Sequence, residues 1–187
     1  MKDGRFQFKK PADWHIIKPE RYRDFSILST ESVPCLYGFA IERDSDGYDV
    51  VSMFDYGEFS ELFIAEFKEE LDKLSADNSA VGSVNDYLEE KAEGFDVTHT
   101  TSLQPLLYKK VTIHGKRCFV NIMKIHTNVG MSYSLQIFVK VGDFMLCFGT
   151  SVKNIDESDP FTSVLERYPF VCELVHTLIP SIEPATD

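Results

Sequence analysis

Positive charge is what this sequence has least of. Its 19 Lys and Arg face 30 Asp and Glu, a formal charge of −11 at pH 7. Nucleic-acid binders neutralise phosphates with clustered Lys and Arg, so the balance excludes that class. The same negative field opposes docking on an anionic membrane surface. Long apolar runs are missing too. No stretch approaches the ~20 residues a membrane helix needs, so no membrane insertion is expected. The opening MKDGRFQF lacks the apolar core of a signal peptide. The expected location is cytoplasmic, a removed leader replaced by an initiating Met being the alternative.

Motifs for chemistry are equally scarce. Cys35, Cys118, Cys147 and Cys172 follow no zinc or thioredoxin spacing and sit among apolar neighbours, where a free Cys behaves as a small hydrophobe. On strands two apart in one sheet, Cys118 and Cys147 would be about 9–10 Å from each other, too far for a disulfide. A reducing compartment follows. No two of His15, His99, His114, His126 and His176 stand at i, i+4, and no HExxH is present. A turn at 114–117 would set His126 opposite about Pro105, away from His114. DSDGYD at 44–49 lacks the full spacing and distant bidentate Glu of a calcium loop, and a tight hairpin turn needs the same residues. There is no G-x-S-x-G elbow, no G-x-x-x-x-G-K and no G-x-G-x-x-G. The expectation is no catalytic residue, no metal ligand and no cofactor.

Apolar and aromatic residues are plentiful. The 43% hydrophobic and 13% aromatic content, with fifteen Phe and eight Tyr, is ample for one packed domain over 1–187. RFQFKK (5–10) alternates like a half-buried strand, and Pro11 stops it. YRDFSILS (22–29), PCLYGFAIER (34–43) and YDVVSMF (48–54) read as strands, with DSDG the hairpin turn between the last two. From about 58 to 94 the period turns helical. Phe63, Phe67, Leu71 and Leu74 form one apolar stripe, opposite Glu66, Glu69, Glu70, Asp72 and Lys73 on a wet face. Ser60 is the expected N-cap, SADNSAVG (75–82) a loop, and VNDYLEEKAEG a second helix ending at Gly94.

Residues 106–152 hold four strands, LLYKKVTI, RCFVNIMKIH, MSYSLQIFVK and DFMLCFGTSV. They are joined by the short links HGK, TNVG and VGD. Short Gly-containing links join antiparallel neighbours, so this is a four-stranded meander. The last two strands are apolar on both faces, so the sheet needs cover on both sides. The C-terminal segment supplies one cover. Asp159 and Pro160 start a helix, Pro169 divides it, and Phe170, Leu174 and Leu178 share a face. SIEPATD (181–187) is read as a tail. The fold class is α+β, a three-layer α/β/α sandwich with a central, mainly antiparallel sheet flanked by helices.

Three places carry a resemblance. FQFKKPADWH is similar to a strand, proline and tryptophan opening. VTIHGKRCFV followed by SYSLQIFVKVGDFMLCFGTSV looks like a central meander with Gly115 at the first turn. FVCELVHTLIPSIE looks like a closing helix. Together they resemble the Mog1/PsbP-like family over nearly the whole chain, with the 58–104 stretch the least similar part. The resemblance implies an antiparallel sheet sandwiched between helices, in a bacterial member of unassigned role. The family includes relatives of a Ran-binding import factor and photosystem extrinsic proteins, and it has no shared catalytic motif. A fold does not supply a function.

The functional expectation is a non-catalytic binding module acting on another protein. A basic partner is the natural complement of the acidic helix at 58–74. The alternative is a small-ligand binder or enzyme with a pocket between sheet and helices. Trp14, beside His15, offers either a stacking platform or a packing bolt. A large ring just after the first strand is placed to cap an open core, and the bolt is the preferred reading.

Overall fold

Period-two alternation dominates residues 100–152, and there the backbone extends. The computed structural model describes residues 5–17, 35–43, 47–77 and 99–185 of the chain. The expected strand YRDFSILS and second helix VNDYLEEKAEG lie outside the described residues. Four strands come first: β1 (Phe6–Gln7), β2 (His15–Ile17), β3 (Cys35–Glu42) and β4 (Tyr48–Glu58). Helix α1 (Glu61–Asp77) precedes β5 (Thr100–Ile113), β6 (Lys116–Thr127), β7 (Gly130–Val141) and β8 (Phe144–Val152). Two helices follow, α2 (Pro160–Arg167) and α3 (Pro169–Glu173). A π-helical turn (Leu174–Leu178), α4 (Ile179–Ser181) and β9 (Glu183–Pro184) close the chain.

The fold is α+β, built on antiparallel sheet. Seven strands form one sheet in the order β2-β3-β4-β8-β7-β6-β5, while β1 and β9 pair separately. The expected meander is present as β5 to β8, but the sheet is larger than those four strands. β8 returns to pair with β4, setting Phe54 opposite Cys147 and Ser52 opposite Gly149, and so joins the meander to β3 and β2.

The turn after β5 uses two residues, His114 (φ 45) and Gly115 (φ 80). Two positive φ angles match the right-handed twist of the flanking strands, and His and Gly both tolerate them. Further along, β5 bulges between Pro105 and Leu107, where proline has no N–H to give the ladder. His126 therefore faces Ser102, not Pro105 as expected. The turn is shorter than a four-residue one, and the bulge slips the register again.

Alternation along β6 sorts its side chains between two cores. Cys118, Val120 and Ile122 pack in one cluster with Val164, Phe170, Leu174 and Leu178 of the C-terminal helical segment. Phe119, Met123 and Ile125 pack in another with Ile64, Phe67 and Leu71 of α1. Each large side chain buried completely contributes about 1.5–3 kcal/mol, so both clusters weigh in stability.

Ser60 caps α1 as expected, its Oγ accepting the Phe63 N–H at 3.3 Å. The helix then runs to Asp77, into the segment read as loop. Pro169 does split the C-terminal helix, and Pro160 sits in the first turn of α2. Asp159 stands at the N-cap but its side chain makes no capping bond. Its carbonyl instead accepts the Ser163 N–H at 3.0 Å. The π-helical turn widens just ahead of Pro180, with the Ile179 N–H bonded to the Leu174 carbonyl. Proline lacks an N–H and crowds the carbonyl four residues back, and a wider turn relieves both defects.

Two expectations at the chain ends change. RFQFKK forms only a two-residue strand, Phe6–Gln7. The described part of SIEPATD, residues 181–185, is no free tail: Ile182 is completely buried, Glu183 and Pro184 pair with Gln7 and Phe6, and the Ala185 N–H bonds the Arg5 carbonyl at 2.8 Å. Trp14 lies beside this junction, 1% exposed. Its ring packs 5.6 Å from Phe39, and its Nε1–H donates to Glu173 Oε2 at 2.7 Å. Lys10 holds the same segment closed, its Nζ donating to the Pro11 and Trp14 carbonyls. Trp14 is a bolt.

Candidate functional site

Helix α1 turns its apolar stripe to the sheet, which leaves the charged residues between the stripe positions in water. Glu66, Glu69, Glu70 and Asp72 are all exposed, with Lys68 and Lys73 among them. Lys68 pairs with Asp72 at 2.7 Å and Lys73 with Glu69 at 2.9 Å, both at i, i+4. Four carboxylates thus meet two lysines. Glu66 and Glu70 stand at i, i+4 to each other, a like-charge spacing that destabilises a helix by about 0.2–0.5 kcal/mol. The ammonium of Lys73 is held above its ordinary range, first by its hydrogen bond and attraction to Glu69 and then by Glu70. No basic residue occupies the last turn of α1, where the helix dipole is negative and a cation would be favourable. Among the described residues the outer face of α1 carries a net negative charge, and the exposed Leu62 lies at its start.

The first turn of α1 is different. The Phe59 N–H bonds the Asp143 carbonyl at 2.7 Å, and the Phe59 ring stacks on Phe119. Lys140 Nζ lies 4.4 Å from the Phe59 ring centre and Arg117 Cζ 5.5 Å from it. Arg117 also pairs with Glu61, and Lys110 Nζ stands 4.0 Å from the same carboxylate. These cations neutralise Glu61 and anchor the helix start to the sheet end. They leave the excess of negative charge further along the helix.

The structure also tests the dispersed residues. Cys118 and Cys147 lie on β6 and β8 with β7 between them and belong to opposite cores; none of the four cysteines is in a disulfide. Burial pushes the Cys118 thiol up to about 11. At the other end of the sheet, Glu157 accepts from the Tyr133 hydroxyl and pairs with Lys124, both at 2.7 Å. Lys124 and then Tyr133 hold the Glu157 carboxyl below the usual range, while burial and the Glu157 bond push Tyr133 up to about 12. Tyr108, bonded to the Ile64 carbonyl at 2.9 Å, is pushed up to about 12, mainly by burial. Of DSDGYD, residues 44–46 lie outside the described residues. The Arg43 N–H bonds the Gly47 carbonyl at 3.1 Å across that loop, and Arg43 pairs with Asp49 at 2.9 Å.

Two juxtapositions escaped the sequence reading. Asn121 and Gln136 form a buried cross-strand pair, Asn121 Nδ2 donating to Gln136 Oε1 at 2.8 Å, and Asn121 Oδ1 has no partner. His114 Nε2 and His176 Nδ1 meet at 3.1 Å, far apart in sequence and close in space. Helical-spacing rules find ligands on one element, and this pair spans two.

No family model and no curated protein matches the chain. Among solved structures it is similar to PA94 of Pseudomonas aeruginosa, a protein of unknown function. The two share 10% identity at a TM-score of 0.42, over 95% of this chain and 98% of that one. It is also similar to LpqN of Mycobacterium tuberculosis, which is involved in cell envelope biogenesis. There the identity is 8% at a TM-score of 0.42, over 97% of this chain and 83% of that one.

Proposed function

We propose that the chain is a single Mog1/PsbP-like domain of the three-layer α/β/α kind, a non-catalytic binding module whose target is a protein with a basic surface. One observation carries the reading: the outer face of α1 holds more carboxylates than lysines, with Glu66 and Glu70 in like-charge spacing while Lys68 and Lys73 pair with Asp72 and Glu69. A basic partner would turn that repulsion into attraction and be steered to the helix by it.

The test is affinity capture with the wild-type chain and with the charge-reversed E66K/E70K variant as baits. Both substituted side chains are exposed, so the variant is expected to fold, and circular dichroism checks that. The expected result is a basic protein retained by the wild type, lost with the variant, and released by salt, because screening shortens the range of surface charge. A partner held equally by both baits would put the interface elsewhere. Stabilisation of the wild type by a small metabolite in a melting screen would favour a pocket instead.

A further inference from the structure

His114 and His176 are both exposed, yet their backbones are tightly held. His114 occupies the first place of a two-residue hairpin turn at φ 45. His176 sits in the π-helical turn, between the buried residues Val175 and Leu178. Their rings stand at 88° with centres 5.4 Å apart, and Nε2 and Nδ1 face each other at 3.1 Å. The nearest basic group along β6, Lys116, is turned away from the pair and bonds the Ile182 carbonyl at 2.5 Å.

We propose that this pair is a binding site for a divalent transition-metal ion of borderline softness, Zn²⁺, Cu²⁺ or Ni²⁺, held by His114 Nε2 and His176 Nδ1 and completed by water. An ion about 2.05 Å from each nitrogen across a 3.1 Å gap subtends about 98°, between the square and tetrahedral angles these ions adopt. The nitrogens need hardly part. The rings point almost head on in the hydrogen-bonded state, so each must tilt by about 40° to aim its lone pair at a shared ion. Exposure leaves both side chains free to do so, while the turn and the π-helical segment keep the two Cα positions fixed. Imidazole nitrogens select these ions over Mg²⁺ and Ca²⁺, which require oxygen ligands. Both rings must be neutral to bind, so uptake releases any proton they hold.

The experiment titrates the 187-residue chain with Zn²⁺ and with Ni²⁺ by calorimetry, beside H114N, H176N and an H99N/H126N control. Asn tolerates the positive φ at position 114, so the turn is kept. One ion per chain is expected for the wild type and the control. Either single substitution should weaken it by more than the roughly 10–100-fold that loss of an outer-shell partner costs. In parallel, Ni²⁺ should broaden the imidazole resonances of two histidines in the wild type, a readout that needs no variant. The proposal is overturned if the wild type takes up no ion at millimolar metal. It is equally overturned if both single variants bind as the wild type does, which would place the ion elsewhere.

Discussion

If Trp14 locks the two ends of the chain together, removing it should cost as much as deleting the centre of a core. The ring is 1% exposed, packed on Phe39, and bonded through Nε1 to Glu173. An aromatic side chain buries 150–250 Å², or about 4–6 kcal/mol of gross transfer energy at ~25 cal/mol per Å². Truncation to alanine should therefore destabilise by about 3–5 kcal/mol. For a chain of this length that lowers the melting midpoint by roughly 6–20 °C. W14F keeps most of the packing and loses the charge-assisted hydrogen bond, worth about 1.5–3 kcal/mol. The lower end is expected, because Glu173 is only half-buried and can find water. Urea unfolding followed by circular dichroism measures both changes, and a W14F/E173Q cycle isolates the bond between them. Trp14 being the single tryptophan, wild-type fluorescence should resist acrylamide until the global transition. A W14A stability within about 1 kcal/mol of wild type would refute the bolt.

Other consequences are as direct. Tyr108 and Tyr133 are raised in the folded state to about 12. The stabilisation they bring is whole below the ordinary tyrosine value near 10 and is lost as pH climbs through about 12. Unfolding curves at stepped alkaline pH should show that loss, and Y108F/Y133F should flatten it. N121L alone strands the buried Gln136 amide and should cost about 1–3 kcal/mol, whereas N121L/Q136L removes both partners and should recover much of it in the same denaturation assay. G142A forces alanine to φ 59 and puts a Cβ 3.2 Å from Pro184 Cγ. It should lose more than the ~1–2 kcal/mol of the backbone term. G115A, at φ 80 with open space around it, should lose that term alone, so the difference in melting midpoint reports the β9 contact.

What was legible in the sequence is what local pattern controls. The meander could be read because a strand's period is two and its turns are short, so β6 to β8 are bounded by their own residues, whereas β5 begins at Thr100, ahead of the expected start at 106. The split at Pro169 and the wet face of α1 follow from equally local chemistry. The size of the sheet does not. Nothing near Phe54 says that its neighbour will be Cys147, because that pairing joins segments more than ninety residues apart in the sequence. The register error at His126 has a local origin, the two-residue turn and the bulge at Pro105. A bulge at one proline moves every later residue by one place, and the alternation itself is undisturbed by it.

The chain ends show why the candidate sites were harder still. SIEPATD looks like a tail by composition, since a proline in its middle and few apolar residues offer it no element of its own. Its structure is borrowed: β9 exists because β1 is there to pair with it, and Ile182 is buried by a core assembled from other segments. The Trp14–Glu173 bond and the His114–His176 contact have the same character. Each joins residues whose own neighbourhoods carry no sign of the other. The acidic face of α1 was legible because a helix displays its charges at a fixed spacing, whatever the rest of the chain does. Surface charge on one element can therefore be proposed as an interface from sequence. A ligand set assembled from a hairpin turn and a π-helical segment can only be found once the fold has brought them together.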